Sequence, residues 1–208
     1  SSHAELAYEE IFNDVGVSNS IVHKEPIYLY ESKELFEKDQ YAFNLRKKNN
    51  VHFDIISKED IAKMEPSLEP IYYKGIVLKG ECFTRSPIQI TKKIFDNFMN
   101  NGGHFVLTKI DSIFRNGNSL FLKYNKREHQ VDKIVVAAGV WSNVLARTIG
   151  DNFPLDTERG YHITFENNSN LLTHSVGWAK TGFYMTPMED GIRAAGTVEI
   201  AGLKKPMN

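Results

Sequence analysis

Cysteine is almost absent from this 208-residue sequence, and its scarcity excludes one class of protein. Cys82 is the only cysteine, so no disulfide can form within the chain. Small secreted domains held together by disulfides are therefore excluded, and the composition fits a reducing compartment. We expect a cytoplasmic protein in which Cys82 is buried or inert rather than a reactive thiol.

Long apolar runs and an excess of either charge are also missing. No stretch approaches the roughly 18 consecutive apolar residues that a membrane-spanning helix requires. Lys and Arg number 25 and Asp and Glu number 26, which gives a formal net charge of −1. The sequence therefore gives no electrostatic reason to expect a nucleic acid or an acidic membrane as partner. A hydrophobic content of 41% is enough for the core of one domain or two small ones.

Self-contained catalytic motifs are absent as well. The sequence has no G-x-G-x-x-G loop, no phosphate-binding Walker loop, no G-x-S-x-G nucleophile elbow and no H-E-x-x-H zinc motif. Its seven histidines lack the spacing of metal ligands, so we expect no metal site. These observations identify no catalytic residue.

The first half of the sequence alternates helices and strands. An amphipathic opening helix that ends at Gly16 is predicted by four residues at helical spacing: Tyr8, Ile11, Phe12 and Val15. Ile27 to Tyr30 reads as a strand, and Ser32 then begins a helix that ends near Asn49-Asn50.

Two further helices are marked by their capping residues. Ser57 and Asp60 have the spacing of a capping box, and Glu65-Pro66 ends the short helix that they begin. Ser86-Pro87 begins a longer helix, which Asn101-Gly102-Gly103 stops.

Strand signals dominate the second half. Phe105 to Leu107 reads as a strand, Asn116-Gly117 predicts a hairpin, and the apolar run Ile134 to Ala138 is typical of a strand buried in a parallel sheet. Ser142 can cap a helix over Asn143 to Ile149. The last third predicts antiparallel strands, separated by polar turns such as Asp190-Gly191: Tyr161 to Phe165, Phe183 to Met185 and Ile192 to Val198.

The segment from Val131 to Ser142 has the pattern of a strand end that faces a cofactor. Small residues at the end of a buried strand allow a ligand to approach the backbone closely, and the helix that follows offers free N–H groups. The same pattern also fits a tight strand-to-helix turn in any α/β domain, and the segment alone does not decide between the two.

Three stretches together resemble the family of FAD-dependent D-amino-acid oxidases and dehydrogenases, which includes glycine and sarcosine oxidases. They are the run Ile134 to Gly150 (IVVAAGVWSNVLARTIG), the sequence Glu158-Arg159-Gly160-Tyr161-His162, and Phe183 to Glu199. Their order and spacing agree with the family, and the similarity is strongest to its bacterial D-amino-acid dehydrogenase branch.

The resemblance implies a mixed α/β (α+β) fold, with an antiparallel substrate-domain sheet and an incomplete Rossmann-like portion of the FAD domain. We expect residues 1–85 to form the first part of the substrate domain, residues 86–150 a partial FAD-binding domain, and residues 151–208 the second part of the substrate domain. Members of the family open with G-x-G-x-x-G, which this sequence lacks. We therefore expect the central portion of a longer enzyme, which does not bind FAD tightly by itself.

The resemblance also assigns candidate site residues. Five residues are expected to contribute to FAD binding in the full-length enzyme. Ile110 would lead into the adenine-side strand, and four residues would approach the adenosine half of FAD: Ala137, Ala138, Gly139 and Trp141. Gly139 is expected to matter more for this approach than for folding. Tyr161 and Tyr184 are the candidate substrate-binding residues, because a phenol can hydrogen-bond a carboxylate while its ring covers the pocket. The alternative is that both tyrosines pack in the core.

The usual carboxylate clamp of the family is in doubt here. Some relatives carry a substrate-binding arginine just after the equivalent of Pro187, where this sequence has Met188. Arg193, in a strand after a turn, is predicted to lie on the surface rather than to act as a clamp.

The resemblance implies oxidation of D-amino acids or related amines to imines, which hydrolyse to 2-oxo acids and ammonia. The expected binding partner is then the substrate, a small amino acid or amine, and the identity of the electron acceptor is left undecided between oxygen and a quinone. Peripheral association of the full-length enzyme with the inner membrane also stays open. The alternatives are a sarcosine- or proline-type amine dehydrogenase and a non-catalytic binding domain that retains the fold.

Overall fold

The computed structural model describes residues 2–207, and contacts within the chain divide them into two units. The first unit comprises the residues up to Gly102 together with Gly160–Thr197. The second comprises Gly103–Arg159 and the residues from Val198 onward. The domain boundaries expected from sequence, after residues 85 and 150, stay a prediction.

Six helices and twelve strands are formed by the described residues. The helices are α1 (Ser2–Asp14), α2 (Lys33–Lys38), α3 (Gln40–Lys48), α4 (Lys58–Met64), α5 (Pro87–Asn100) and α6 (Ser142–Ala146). The strands are β1 (Ile21–Val22), β2 (Ile27–Tyr30), β3 (Phe53–Ser57), β4 (Lys74–Leu78), β5 (Phe83–Thr84), β6 (Ser112–Asn116), β7 (Ser119–Tyr124), β8 (Arg127–Val131), β9 (Arg159–Glu166), β10 (Val176–Trp178), β11 (Tyr184–Pro187) and β12 (Gly191–Glu199). The predicted mixed α/β fold class is confirmed.

A seven-stranded sheet organises the first unit. Its order is β3-β4-β2-β10-β11-β12-β9, so strands from the beginning of the chain lie beside strands from its last third. β2 pairs in parallel with β10, whereas β2 with β4, β3 with β4, β10 with β11 and β11 with β12 pair antiparallel. The strands predicted from Ile27 and across the last third are confirmed, and β3 and β4 extend the sheet beyond them.

One face of this sheet carries the main apolar core of the first unit. Alternate residues of a strand point to the same face, which brings Ile27 and Leu29 of β2 next to Val176 and Trp178 of β10. The first three are fully buried, and each such side chain stabilises the fold by about 1.5–3 kcal/mol. Trp178 is nearly buried, and its Nε1 donates a hydrogen bond of 3.0 Å to the hydroxyl of Tyr72.

Aromatic residues from α2 and α3 cover part of the opposite face. Tyr30 of β2 meets Phe36 edge to face, with ring centroids 5.2 Å apart, and Phe43 packs against both rings. The Tyr30 hydroxyl donates to Asp39 over 2.7 Å. Ser32 caps α2 as predicted, but the helix is interrupted at Asp39, so two short helices replace the single one that the sequence indicates.

The other predicted helix boundaries agree well with the structure. Ser57 and Asp60 form the reciprocal capping box of α4, and Pro87 stands at the start of α5. Ser86 precedes α5 without a side-chain capping bond. Gly16 and Gly102 follow α1 and α5 with positive φ angles of 70° and 84°, the left-handed geometry that ends many helices.

The second unit contains a three-stranded antiparallel sheet of order β6-β7-β8. The predicted hairpin is confirmed, with Asn116 opposite Ser119 across the turn. The short helix α6 and its 3-10 extension end at Gly150, which has a φ of 89°. Thr148, in this extension, accepts the N–H of Ile113 and donates to its carbonyl, so the helix is fastened to β6.

Two predicted strands of the second unit are wrong. Phe105 to Leu107 and Ile134 to Ala138 have irregular backbones, and no strand within residues 2–207 pairs with either of them. Leu107 and Val135 are each 90% exposed. An apolar run predicts a buried strand only where a neighbouring strand and a covering layer exist, and the described residues supply neither.

A fully buried carboxylate joins α4 to the loop before β10. Glu65 accepts hydrogen bonds from the backbone N–H and hydroxyl of Thr173 and from the backbone N–H of His174, while Nδ1 of His174 lies 2.5 Å from its Oε1. Burial by itself raises the pKa of Glu65, but the hydrogen bonds from His174 and Thr173 outweigh it and hold the pKa below its ordinary value.

We predict that Glu65→Ala lowers the free energy of unfolding by about 3–5 kcal/mol, because buried donors then lose their charged acceptor. The pKa of this carboxyl is lowered in the folded state, so its contribution is present above the ordinary value of about 4.3 and decreases as the pH falls below it. Urea unfolding at several pH values should therefore show the largest difference from the wild type near neutral pH. Glu69→Ala, an exposed change in the same loop, is the control. An equal loss in both variants would contradict a special role for Glu65.

Candidate functional site

Two tyrosines meet on the sheet face where Gly177 leaves a gap. Gly177 of β10 lies between Tyr28 of β2 and Tyr184 of β11, and it is in register with both. A Cβ at Gly177 would lie 2.6 Å from an atom of each ring. The rings therefore close over the glycine, with centroids 5.7 Å apart.

Tyr184 has the electrostatic character of a neutral hydrogen-bonding group. Burial raises its pKa above the ordinary tyrosine value, and the neighbouring Tyr28 raises it further, whereas Arg46 opposes the shift. The side chain is still 39% exposed. A phenol that stays protonated and reaches solvent can donate a hydrogen bond to an anionic ligand at neutral pH.

Polar side chains occupy the same sheet face two residues beyond Tyr184 along β11. Thr186 of β11 is paired with Arg193 of β12, and the Thr186 hydroxyl lies 2.9 Å from that of Ser175. Arg193 is half-buried, and its Nε is inaccessible and has no hydrogen-bond partner within the described residues. Arg193 is thus only partly exposed, and its assignment to the surface rather than to a clamp stays a prediction.

Tyr161 occupies a different place from Tyr184. It lies half-buried on β9 and lines a cleft of about 460 Å³, together with residues of β12 and of the turn before β11. Tyr184 is not among the lining residues of this cleft in the part of the chain that the structure describes. The two candidate substrate residues thus share a sheet but not a cavity, and their roles stay predictions.

The expected cofactor residues all lie in the second unit. Ile110 is half-buried in the irregular segment before β6. Ala137, Ala138 and Gly139 lead into a 3-10 turn, closed by a 3.1 Å hydrogen bond from the N–H of Trp141 to the carbonyl of Ala138. Trp141 is 61% exposed. The structure thus brings four of the five residues together in one exposed stretch.

The backbone of this stretch is accessible, as the predicted approach of a ligand requires. Ala137 and Gly139 are exposed, and a Cβ built at Gly139 meets no atom within 4 Å, so the backbone is open on that side. Gly139 also has a φ of 53°, a left-handed conformation that the sequence does not predict. A substitution there strains the backbone as well, so Gly139 has a structural role beside any cofactor role.

Two kinds of structural feature are absent from residues 2–207. These residues contain no group of three or more His, Cys, Asp or Glu residues placed to hold a metal ion. None of their helices is both long and apolar enough to cross a bilayer. Cys82 is exposed rather than buried.

Sequence reasoning missed Gly177 and its neighbour Tyr28. The available signal was a glycine inside the short strand Val176–Trp178, since a strand-interior glycine often marks a site where another group approaches closely. Nothing in the local pattern indicated which residues approach it, because β2 lies about 150 positions earlier in the chain.

Comparison with known proteins identifies relatives along almost the whole chain. The sequence profile of a family described as FAD dependent oxidoreductase matches residues 2–207. A D-amino-acid oxidase of Bradyrhizobium diazoefficiens is 31% identical over 206 residues, which cover 99% of this chain and 49% of that protein. A D-amino acid dehydrogenase of Vibrio vulnificus is 25% identical over 170 residues, covering 76% of this chain and 39% of that protein. The chain thus spans about half or less of the length of these curated relatives.

Solved structures share the fold. The crystal structure of a glycine oxidase from Bacillus cereus superimposes with a TM-score of 0.79 at 15% identity, covering 100% of this chain and 57% of that one. At this level of identity the similarity shows the fold alone.

We predict that Gly177→Ala lowers the free energy of unfolding by about 1–3 kcal/mol, because the added methyl group must displace two packed rings. Gly177 has no positive φ, so the cost is steric rather than conformational. Gly160→Ala, at a strand glycine with open space around its Cβ position, should change stability by less than about 0.5 kcal/mol. Urea unfolding measures both values. A neutral Gly177→Ala would mean that the tyrosine rings are free to move apart.

We predict that Gly139→Ala costs about 1–2 kcal/mol of stability, whereas Gly139→Asn costs less, because asparagine tolerates the left-handed region better. No steric clash adds to either cost. Thermal unfolding of both variants tests this order. A larger loss for asparagine than for alanine would show that size, not backbone conformation, limits this position.

Proposed function

The chain belongs to the family of FAD-dependent oxidoreductases, and from this premise we propose that the protein oxidises D-amino acids or related amines to imines. Water then hydrolyses the imine of a D-amino acid to a 2-oxo acid and ammonia. The observation that carries the proposal is the similarity to a D-amino-acid oxidase along almost the whole chain.

The residues proposed to hold FAD are the open stretch from Ala137 to Trp141, with Ile110. Small side chains there leave the backbone accessible, and the exposed indole of Trp141 offers an apolar surface. FAD, when bound, supplies the electron-accepting chemistry by taking a hydride from the α-carbon of the amine. The protein contributes binding, orientation and exclusion of water.

Tyr184 is proposed to bind the substrate's α-carboxylate. A tyrosine phenol is protonated at neutral pH, and the raised pKa of Tyr184 keeps it so at higher pH as well, so the hydroxyl donates a hydrogen bond to an anionic oxygen. The ring is held in place by Tyr28 and by the gap at Gly177, which fixes the direction of the hydroxyl before the substrate arrives. Tyr161, on the neighbouring cleft, is proposed as a second contact to the substrate.

The direct test uses the full-length protein that contains this chain, purified with its flavin. Addition of D-amino acids without oxygen should bleach the visible absorbance of the oxidised flavin, and the L-enantiomers should not. Bleaching by sarcosine or proline alone would favour an amine dehydrogenase of that type. A holoprotein that none of these amines reduces would contradict the proposal.

We predict that Tyr184→Phe lowers kcat/KM for a D-amino acid by about 10- to 100-fold, the effect of losing one hydrogen bond to a charged group. Tyr41→Phe is the matched control, since Tyr41 is 78% exposed on α3. Steady-state kinetics of both variants give the comparison. An unchanged kcat/KM in Tyr184→Phe would assign the tyrosine to packing, the alternative already recognised from the sequence.

A further inference from the structure

The buried carboxylate of Glu65 holds one histidine at the edge of a polar cavity. Glu65 is inaccessible to solvent, and its Oε1 lies 2.5 Å from Nδ1 of His174. The lowered pKa of Glu65 keeps the carboxylate ionised, so Nδ1 of His174 carries a proton and donates a hydrogen bond to it. In the neutral ring the other nitrogen, Nε2, is then fixed as a hydrogen-bond acceptor.

Nε2 of His174 stays accessible to a ligand. It has no hydrogen-bond partner within residues 2–207, and it is not one of the polar atoms that are sealed from solvent. His174 lines a cavity of about 300 Å³, a volume at the lower end of the range for small-molecule sites. The cavity is lined by charged or polar side chains and one glycine: His23, Lys24, Glu25, Gly80, Glu81 and His174.

Two carboxylates supply further acceptors in the same cavity. Glu25 is held in place by Lys79, whose Nζ lies 3.0 Å from Oε2, and by the N–H of Gly80, which donates to Oε1 over 3.3 Å. A carboxylate has about four lone-pair positions, so Glu25 can still accept from a ligand. Glu81 is exposed and forms no ion pair within the described residues, and its side chain is free to turn into the cavity.

A primary ammonium group matches this set of acceptors. It carries three N–H donors, and the cavity offers three acceptors, namely Nε2 of His174 and the carboxylates of Glu25 and Glu81. A metal ion is a poorer match, since no three His, Cys, Asp or Glu side chains within residues 2–207 stand close enough together to hold one. An ammonium group tolerates the wider spacing, because its hydrogen bonds are about 2.7–2.9 Å long and metal–ligand bonds are about 2.0–2.3 Å.

Lys24 adds a requirement for negative charge on the same ligand. Its side chain is exposed at the cavity and forms no ion pair within residues 2–207. A lysine ammonium repels a simple cation but binds a carboxylate. A ligand that carries both an ammonium group and a carboxylate therefore satisfies both signs of charge in the cavity.

We propose that this cavity binds a small zwitterionic amino acid, with its ammonium group on His174, Glu25 and Glu81 and its carboxylate on Lys24. The site is separate from the proposed catalytic site, because none of its lining residues is among those proposed to bind FAD or the substrate. Glu65 acts here as a positioning residue that fixes the tautomer and the direction of His174.

Calorimetric titration of the full-length protein with β-alanine tests the site. β-Alanine carries both charges, whereas propionate lacks the ammonium group and N,N,N-trimethyl-β-alanine keeps the positive charge without any N–H donor. We expect β-alanine to bind about 10-fold more tightly than either compound, because only β-alanine can donate to the three acceptors. Equal binding of the trimethylated compound would overturn the inference, and so would a wild-type protein that does not bind β-alanine.

Variants at the exposed rim locate the binding without disturbing the buried pair. Glu81→Gln and Lys24→Met should each weaken the binding of β-alanine about 10-fold, the effect of losing a charged partner. Glu69→Gln, exposed and outside the cavity, is the matched control and should leave the affinity unchanged. Replacement of His174 is a poorer test, because it would leave the buried charge of Glu65 uncompensated. An unchanged affinity in both rim variants would overturn the inference.

The Tyr184→Phe variant separates this cavity from the proposed catalytic site. If β-alanine binds beside His174, Tyr184→Phe should leave its affinity unchanged, since Tyr184 does not line the cavity. A loss of affinity in Tyr184→Phe without a loss in Glu81→Gln would assign the binding to the catalytic site and overturn the inference.

Discussion

The parallel pairing of β2 with β10 is the interaction on which the first unit depends. It joins Ile27–Tyr30 to Val176–Trp178, so one short ladder connects the beginning of the chain to its last third. The side chains at this junction are among the most completely buried of the unit, and they exclude water from the ladder. A contact across so many residues is entropically costly to form, and the buried Glu65 beside it fastens the loop that leads into β10. The apolar core and the hydrogen bonds of Glu65 therefore stabilise the same junction between β2 and β10.

The same junction creates the candidate site. Because β10 is short and has glycine at its centre, the strands on either side bring Tyr28 and Tyr184 together over a gap. Neither tyrosine has a neighbour in sequence that would produce this contact, so the pair exists only when the two parts of the chain are joined. The geometry of the proposed substrate face is thus a consequence of folding in the first unit as a whole.

Local sequence patterns predicted local structure well, but they predicted the pairing of distant segments poorly. The capping box at Ser57, the start of α5 at Pro87 and the turn after Asn116 each depend on a few adjacent residues, and all three are formed. The strand predicted from Ile134 to Ala138 is not formed. Its apolar pattern indicates a preference for burial but does not indicate whether a neighbouring strand is present. Gly177 was overlooked for the related reason that its importance depends on residues distant in sequence. The resemblance to a family supplied the fold class and the cofactor, which no local pattern in this chain provides.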